Sequence, residues 1–245
     1  MRHIKHENMG KSDLGWLKSL FHFSFAEYYN PKNMQFGMLR VVNDDLVAPN
    51  KGFELHPHRD MEIISYVVAG ELTHADSMGN QRTLSRGDVQ YMSAGKGVLH
   101  SEHNRGDETL RFLQIWILPD QKGHQPQYGD RQLDWSLRVD QWLKIAQGKT
   151  GSEPKIPIIE NSVVNEDVIQ LYQDANLYVT ELNAPNQHIL HIDKCRMAYL
   201  ILIEGEAELN EVLIETRDAV ELTEETALIK TNSKAHILLI ELAKN

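Results

Sequence analysis

The sequence contains a single cysteine, Cys195, among 245 residues. One cysteine cannot form a disulfide within the chain, and it excludes zinc sites built from several thiolates. Because disulfides are typical of oxidising compartments, their absence favours a reducing one, and we expect a cytoplasmic protein.

Long apolar runs and basic clusters are also missing. No stretch of about 18 apolar residues occurs, so we expect no membrane span. The polar segment 1–13 is not followed by an apolar one, so we expect no secretory signal. The formal net charge is −10, and no Lys/Arg cluster offsets it, which disfavours direct binding to a nucleic-acid backbone.

The chain does contain many short segments with alternating or continuous apolar character, separated by turn residues such as Gly70, Gly79 and Gly87. This pattern predicts an all-β sandwich or barrel rather than a parallel α/β sheet. Two short helices are predicted in addition, at 16–20 and 137–146. The clearest predicted strands are 36–42, 62–68, 110–117, 177–182, 197–203 and 236–242.

Polar segments rich in Gly and Pro, at 119–131 and 147–157, divide the chain in the middle. We therefore expect an N-terminal barrel over 1–130, a connector over 131–149 and a C-terminal barrel over 150–245. Gly205 followed by Arg217-Asp218-Ala219 resembles Gly70 followed by Arg86-Gly87-Asp88, which hints at an internal duplication.

The predicted second barrel differs from the first in its charge and in its histidines. Between residues 200 and 229, nine acidic residues face one basic residue, Arg217. We interpret this acidic segment as a solvated outer face, the alternative being a docking surface for a basic partner. Because His188 and His191 are three residues apart, they cannot share a strand face, and we expect no metal in this barrel.

A candidate metal site lies in the first half. His56 and His58 are two residues apart, so on a strand both imidazoles point to one face, and Glu62 has the same parity. His100 and Glu102 form a second pair of this kind, after a glycine-containing turn. His56, His58, His100 and Glu102 together offer three nitrogens and one oxygen. This set suits Fe, Mn, Co, Ni, Cu or Zn better than Ca or Mg, and it leaves positions open for a substrate.

Several runs of this sequence resemble the pirin family, and most closely the short bacterial pirin-like quercetinases. The resemblance covers roughly residues 12–118 and is looser over 155–245. It implies two tandem cupin (jelly-roll type) barrels in one chain. The runs that carry it are FGMLRVVNDD at 36–45, GFELHPHRDMEI at 52–63, DSMGN at 76–80, GDVQYMSAG at 87–95 and HSE at 100–102.

The resemblance also implies a ligand set and a reaction. Many cupins use the Glu of the first motif as a ligand, here Glu62, whereas pirins use the one in the second motif, here Glu102. We therefore expect Glu102 as the ligand. We expect Glu62 to be a partner for a neighbouring strand, or to contact the ligands without binding the metal itself. The implied reaction is cleavage of a flavonol such as quercetin by O₂ with release of CO, with Glu102 accepting the proton of the flavonol 3-hydroxyl.

Other expectations concern the metal, the pocket and the partners. We expect one divalent metal, iron first, with Mn, Ni, Co, Cu or Zn as alternatives. We also expect a monomer with a small aromatic substrate. Two other functions remain open: a non-enzymatic, redox-sensing regulator that binds a protein partner, and a different metal-dependent cupin reaction. Candidate pocket residues are Met38, Phe53, Met92 and Phe112.

Overall fold

A computed structural model describes residues 1–148 and 162–244. In this part of the chain the fold is nearly all β, which confirms the predicted class, and no helix is long and apolar enough to cross a bilayer. Two short 3₁₀ helices occur, at His6–Asn8 and Trp135–Arg138. The strands are β1 (Arg2–Ile4), β2 (Gly10–Asp13), β3 (Leu17–Phe21), β4 (Leu39–Val47), β5 (Lys51–His58), β6 (Glu62–Ala69), β7 (Leu72–Asp76), β8 (Gln81–Leu84), β9 (Val89–Ser93), β10 (Val98–Asn104), β11 (Leu110–Ile117), β12 (Gln127–Arg131), β13 (Trp142–Gly148), β14 (Ser162–Leu171), β15 (Ala175–Leu182), β16 (Asn186–His191), β17 (Arg196–Leu209), β18 (Val212–Glu215), β19 (Ala219–Thr223), β20 (Thr226–Thr231) and β21 (Ala235–Ala243).

The chain folds into two compact units whose limits differ from the predicted boundaries. One unit is Gly10–Leu133, and the other combines Met1–Met9 with Asp134–Asn245. The first strand pairs with β19 of the second unit, and β13 lies inside the segment predicted as a connector. A pairing over so long a sequence separation leaves no local signal, because turn residues and apolar periodicity report only neighbouring residues.

The first unit is a barrel of two sheets with a polar layer between two apolar clusters. Its larger sheet has the order β12-β9-β6-β11-β4-β3-β2, and its smaller one the order β5-β10-β7-β8. One apolar cluster is built around Leu72, Leu110 and Phe112, and the other consists of Ile63, Met92 and Val98. Polar side chains of β4, β6, β9 and β11 occupy the same interior face between them, and they position the site described below.

The second unit has a different interior. Its strands form one ten-stranded sheet system in which β17 and β21 are central. Inward-facing residues of these strands, including Leu200, Leu202, Ile237 and Leu239, form one continuous apolar cluster with Trp142. Burial of this apolar surface accounts for the stability of the unit.

Both predicted helices are wrong. The segment predicted at 16–20 is mostly β3, where Leu17, Ser19 and Phe21 line the barrel cavity while Lys18 is exposed, a period of two. The segment predicted at 137–146 begins in the 3₁₀ helix, whose first turn is capped by the Asp134 carboxylate, and continues as β13. Because β13 is buried on both faces, its apolar run lacks the alternation that would have identified a strand.

Asp218 is an exception to the interpretation of the acidic segment as a solvated face, since the other eight acidic side chains are exposed or half-buried. Its side chain is almost fully buried, and its two oxygens lie 2.7 Å from His3 Nε2 and 2.9 Å from His6 Nδ1. The backbone N–H of His6 also donates to it. Burial alone would raise the pKa of Asp218, but the hydrogen bonds from His6, His3 and Glu215 outweigh it and hold this pKa below its ordinary value.

We expect Asp218→Asn to lower the free energy of unfolding at pH 7 by about 1–3 kcal/mol, the usual cost of losing hydrogen bonds to a buried charged group. Because the folded-state pKa of Asp218 is lowered, its contribution is present above the unfolded-state pKa of about 4 and disappears as the pH falls through the folded-state pKa. Urea unfolding of both proteins at several pH values measures this. A difference that persists unchanged in strong acid would contradict it.

Candidate metal centre

Three imidazoles converge inside the first barrel. His56 and His58 lie on one face of β5, and His100 of β10 lies directly across from His56. The ring centroids are 4.8 Å apart for His56 and His58, 4.4 Å for His56 and His100, and 4.8 Å for His58 and His100. One nitrogen of each ring lies within 4.8 Å of the other two. The predicted histidines therefore come together, as strand parity requires.

The protonation state of these rings suits metal binding. Burial, reinforced by the neighbouring rings, lowers the pKa of His58 to about 4 and that of His100 to about 2, so both are neutral at pH 7. His56 donates its Nδ1–H to the Glu54 carbonyl at 2.7 Å, so its Nε2 is the nitrogen that can bind a metal. Both ring nitrogens of His100 are buried without a hydrogen-bond partner among the described residues. Such groups are costly unless something binds them.

Glu102 lies two residues beyond His100 on β10, and an oxygen of its carboxylate is within 4.8 Å of a nitrogen of His100. The side chain is buried and held by uncharged donors only. Oε1 accepts from Gln90 Nε2 at 2.7 Å and from the Ser65 hydroxyl at 3.1 Å, and Oε2 accepts from Gln114 Nε2 at 2.6 Å. Burial raises the pKa of Glu102 to about 7 although these hydrogen bonds favour the ionised form. The carboxylate is therefore able to take up or release a proton near neutral pH.

Glu62 lies on the opposite face of β6 from the site and so does not contact the ligands. It lies three residues before Ser65 on β6, so the two side chains point to opposite faces of the sheet. It is fully buried on its own face, where its Oε1 accepts the Tyr91 hydroxyl of the neighbouring β9 at 2.7 Å. The expected role as partner for a neighbouring strand agrees with this geometry.

His74 is not one of the predicted ligands, yet it lies beside His100 and Glu102 in the structure. It lies on β7 directly across from Glu102, and one of its nitrogens is within 4.8 Å of ligand atoms of His100 and Glu102. Its ring stacks on Tyr128 at 4.6 Å, and its Nε2 lies 3.2 Å from Asp76 Oδ2. Nδ1 is buried without a partner in the described chain. The His74-x-Asp76 spacing, two residues on one strand face, is the signal that could have revealed it.

The polar residues around Glu102 were also missed. Ser65, Gln90 and Gln114 each lie between apolar residues of a core strand, and each is buried. Because a buried polar side chain needs a partner, one polar residue in the middle of a core strand indicates a site inside the barrel. All three in fact hold the same carboxylate.

A cavity of about 300 Å³ leads to this cluster. Its described walls are mainly apolar and aromatic, and His58 lies edge-on to Trp116 at 4.9 Å. Of the four predicted pocket residues, Phe53 lines the cavity. Met92 and Phe112 instead belong to the two apolar clusters, and Met38 is half-buried elsewhere. The lining residues are Ser12, Leu14, Leu17, Ser19, Phe21, Phe25, Ala26, Asn43, Asp45, Phe53, His56, His58, Glu102, Gln114 and Trp116.

Comparison with known proteins identifies both halves of the chain. The pirin family profile matches residues 3–117, and the profile described as the quercetinase C-terminal cupin domain matches residues 163–242. Quercetin 2,3-dioxygenase of Escherichia coli K12 is 35% identical over 97% of this chain and 96% of its own length. A pirin-like protein of Caulobacter vibrioides is 38% identical, with 97% of each chain covered.

Solved structures agree. The crystal structure of YhhW from Escherichia coli superposes with a TM-score of 0.88 at 34% identity, over 100% of this chain and 98% of that one. The structure of the same bacterial pirin in complex with nickel(II) gives a TM-score of 0.87 at 33% identity, over 100% and 99% of the two chains. The chain described here therefore belongs to the pirin family and is built from two cupin domains.

Proposed function

We propose that this chain is a metal-dependent dioxygenase that cleaves flavonols with O₂ and releases CO, using one divalent metal bound by His56, His58, His100 and Glu102. The observation that carries the proposal is a cluster of three imidazoles, His56, His58 and His100, beside the buried Glu102 carboxylate, on a cavity with aromatic walls. Its relatives named quercetin 2,3-dioxygenase support the choice of reaction.

The residues present fit a metal. The ring centroids of His56, His58 and His100 are 4.4–4.8 Å apart, one nitrogen of each ring lies within 4.8 Å of the other two, and Glu102 lies as close to His100. The two unpartnered nitrogens of His100 support the same conclusion. A set of three nitrogens and one carboxylate oxygen on a divalent ion leaves positions open for a substrate.

The metal, when bound, would supply Lewis acidity toward the deprotonated flavonol oxygen and a path for electrons from the ring to O₂. Glu102 would accept the proton of the flavonol 3-hydroxyl, as the carboxylate buried beside the histidines; without a metal, burial raises its pKa to about 7. Gln90, Gln114 and Ser65 orient this carboxylate, and although their hydrogen bonds lower its pKa, burial outweighs them.

The cavity would hold the flat rings of the substrate. Phe25 lies edge-on to Trp116 at 5.4 Å, and Phe53 lies edge-on to Trp16 at 5.5 Å, so the aromatic walls are fixed by contacts of their own. Rigid apolar walls with few polar groups are typical of small-molecule sites, and they keep water away from the reacting ring.

Iron is the metal that we propose, and nickel is the second to test, since a related bacterial pirin was solved in complex with nickel(II). The test is elemental analysis of purified protein combined with an aerobic assay of quercetin consumption and CO release on the same sample. Chelated protein reloaded separately with Fe, Ni, Mn, Co, Cu or Zn then assigns the active metal. Fully loaded protein that leaves quercetin intact with every metal would overturn the proposed reaction, and a regulatory role or another cupin reaction would then replace it.

His74 supplies a prediction about metal affinity. We expect His74→Phe, which retains a ring beside Tyr128, to weaken metal binding about 10–100-fold, the usual effect of losing a residue that orients a ligand. The reason is that one nitrogen of His74 lies within 4.8 Å of ligand atoms of His100 and Glu102, so the ring would help to hold these ligands in place. Competition with a chromophoric chelator measures the affinity. An unchanged affinity in a folded variant would leave His74 only a packing role.

A further inference from the structure

One wall of the cavity carries polar groups that the metal site does not use. Asn43 lies on β4 directly across from Gln114 of β11, and both line the cavity. Gln114 donates to Glu102 and accepts from Trp116 Nε1, so its amide is fully engaged. Because β4 and β11 are neighbouring strands, Asn43 lies about 5 Å from Gln114, the residue that donates to Glu102.

The amide oxygen of Asn43 is unengaged. The side chain is 2% exposed, and its Oδ1 has no hydrogen-bond partner among the described residues. Buried amide oxygens are almost always paired, since leaving one unpaired costs the desolvation of that group. An unpaired acceptor on a cavity wall is explained when the ligand supplies the donor.

A second polar row runs beside the first. Asp45 lies two residues further along β4, on the same face, and Ser19 of β3 lies directly across from it. Ser12 of β2 lies across from Ser19 in turn, and all three line the cavity. The Asp45 side chain is 2% exposed, and a carboxylate when ionised only accepts hydrogen bonds. Asn43 therefore presents an acceptor to a ligand, on a part of the wall that also carries the Asp45 carboxylate and the hydroxyls of Ser12 and Ser19.

From this arrangement we infer a second recognition site, in which Asn43, beside Asp45, binds a hydroxyl group on the far ring of a planar aromatic substrate. The inference rests on the proposed function and deepens it by naming the substrate class: flavonols hydroxylated on the pendant phenyl ring. The metal site would bind the 3-hydroxyl end of the flavonol, and Asn43 on β4 would accept a hydrogen bond from the phenolic hydroxyl. A site built around buried acceptors discriminates strongly against an analogue that lacks the donor, because the acceptors are then left unpaired.

Two flavonols that differ only on the pendant ring provide the test: quercetin, with two hydroxyls there, and galangin, with none. We expect metal-loaded wild-type protein, held anaerobically, to bind quercetin at least about tenfold more tightly than galangin. In Asn43→Leu, which has nearly the same shape but no acceptor, this ratio should fall at least about fivefold. Asn43→Asp restores an acceptor oxygen and should keep most of the ratio. Titration of tryptophan fluorescence measures all three, with metal content determined on each sample.

The possible results test the recognition site at Asn43 independently of the proposed cleavage of flavonols. Equal discrimination between the two flavonols in wild type and Asn43→Leu would overturn the recognition site, whatever the protein does with O₂. Preferential anaerobic binding of quercetin that Asn43→Leu removes would support the site even if no flavonol is consumed in air. The absence of consumption with every metal would overturn the proposed reaction alone.

Discussion

Replacing His100 with alanine is expected to abolish metal binding. His100 is the one residue common to both clusters of candidate ligands, and its ring is within 4.8 Å of those of His56 and His58. We expect metal content to fall from about one ion per chain to less than about a tenth after dialysis against buffer without metal. Flavonol consumption should fall with it.

Thermal unfolding gives an independent measure of this loss. A metal that binds only the folded protein stabilises it by about 2.7 kcal/mol at a free concentration 100 times the dissociation constant. Wild type should therefore show a metal-dependent rise in Tm that His100→Ala lacks. Each protein is compared with its own metal-free form, so any cost of the cavity left by the alanine cancels. His103→Ala, on the same strand but the opposite face, is the matched control and should retain both metal and the rise in Tm.

Replacing Glu102 with glutamine is expected to lower kcat by about 10²–10⁴-fold, the usual contribution of a general base. Glutamine retains the shape of the side chain but cannot accept the substrate proton. The three imidazoles remain, so part of the metal affinity should survive, and the assay is run with metal in excess. A metal-loaded Glu102→Gln protein with the kcat of wild type would show that another group takes up the proton.

Glu62→Gln is the matched control for this substitution. It makes the same chemical change at the other candidate carboxylate, which hydrogen-bonds to Tyr91 on the opposite face of the sheet. Because Glu62 does not reach the cavity, we expect its replacement to change kcat by less than about twofold while lowering stability, since it weakens a buried hydrogen bond. The reverse result, a large loss of kcat in Glu62→Gln and none in Glu102→Gln, would exchange the proposed roles.

Strand parity predicted which neighbouring side chains lie on the same face. A spacing of two residues means one face wherever a strand forms, so His56 with His58 and His100 with Glu102 did not depend on knowing the sheet order. The same rule failed for Glu62, because residues 59–61, Arg59-Asp60-Met61, lie outside any strand and Asp60 has a positive φ of 48°. This turn between β5 and β6 breaks the alternation, so parity does not carry from His58 to Glu62.

Other parts of the site could not be predicted from local patterns. That Asn43, Gln114, Ser65 and Gln90 lie in one row follows from the order and register of β4, β11, β6 and β9. Each of these pairings joins distant segments, and a shift by one residue would turn every side chain to the other face. Sequence marks each residue as a polar interruption of a core strand, but only the fold shows that three of them hold Glu102 and one remains available.

The two barrels also illustrate what composition can indicate. The first keeps polar residues between two apolar clusters, whereas the second fills its interior with a continuous apolar cluster around Leu200 and Leu239. The absence of spaced His and acidic pairs after residue 150 led to the expectation of a metal-free second barrel. That expectation stays a prediction. Metal analysis of the wild-type chain tests it, because a metal-free second barrel predicts no more than one ion per chain.

The most direct test of the proposed site is an anomalous diffraction map from crystals of the metal-loaded protein, recorded at the absorption edge of the bound metal. The account predicts one strong peak per chain inside the first barrel, about 2.0–2.2 Å from a nitrogen of His56, His58 and His100 and from a carboxylate oxygen of Glu102. A peak held by other residues, or a metal bound by the three histidines with Glu102 still directed only at Gln90 and Gln114, would contradict it.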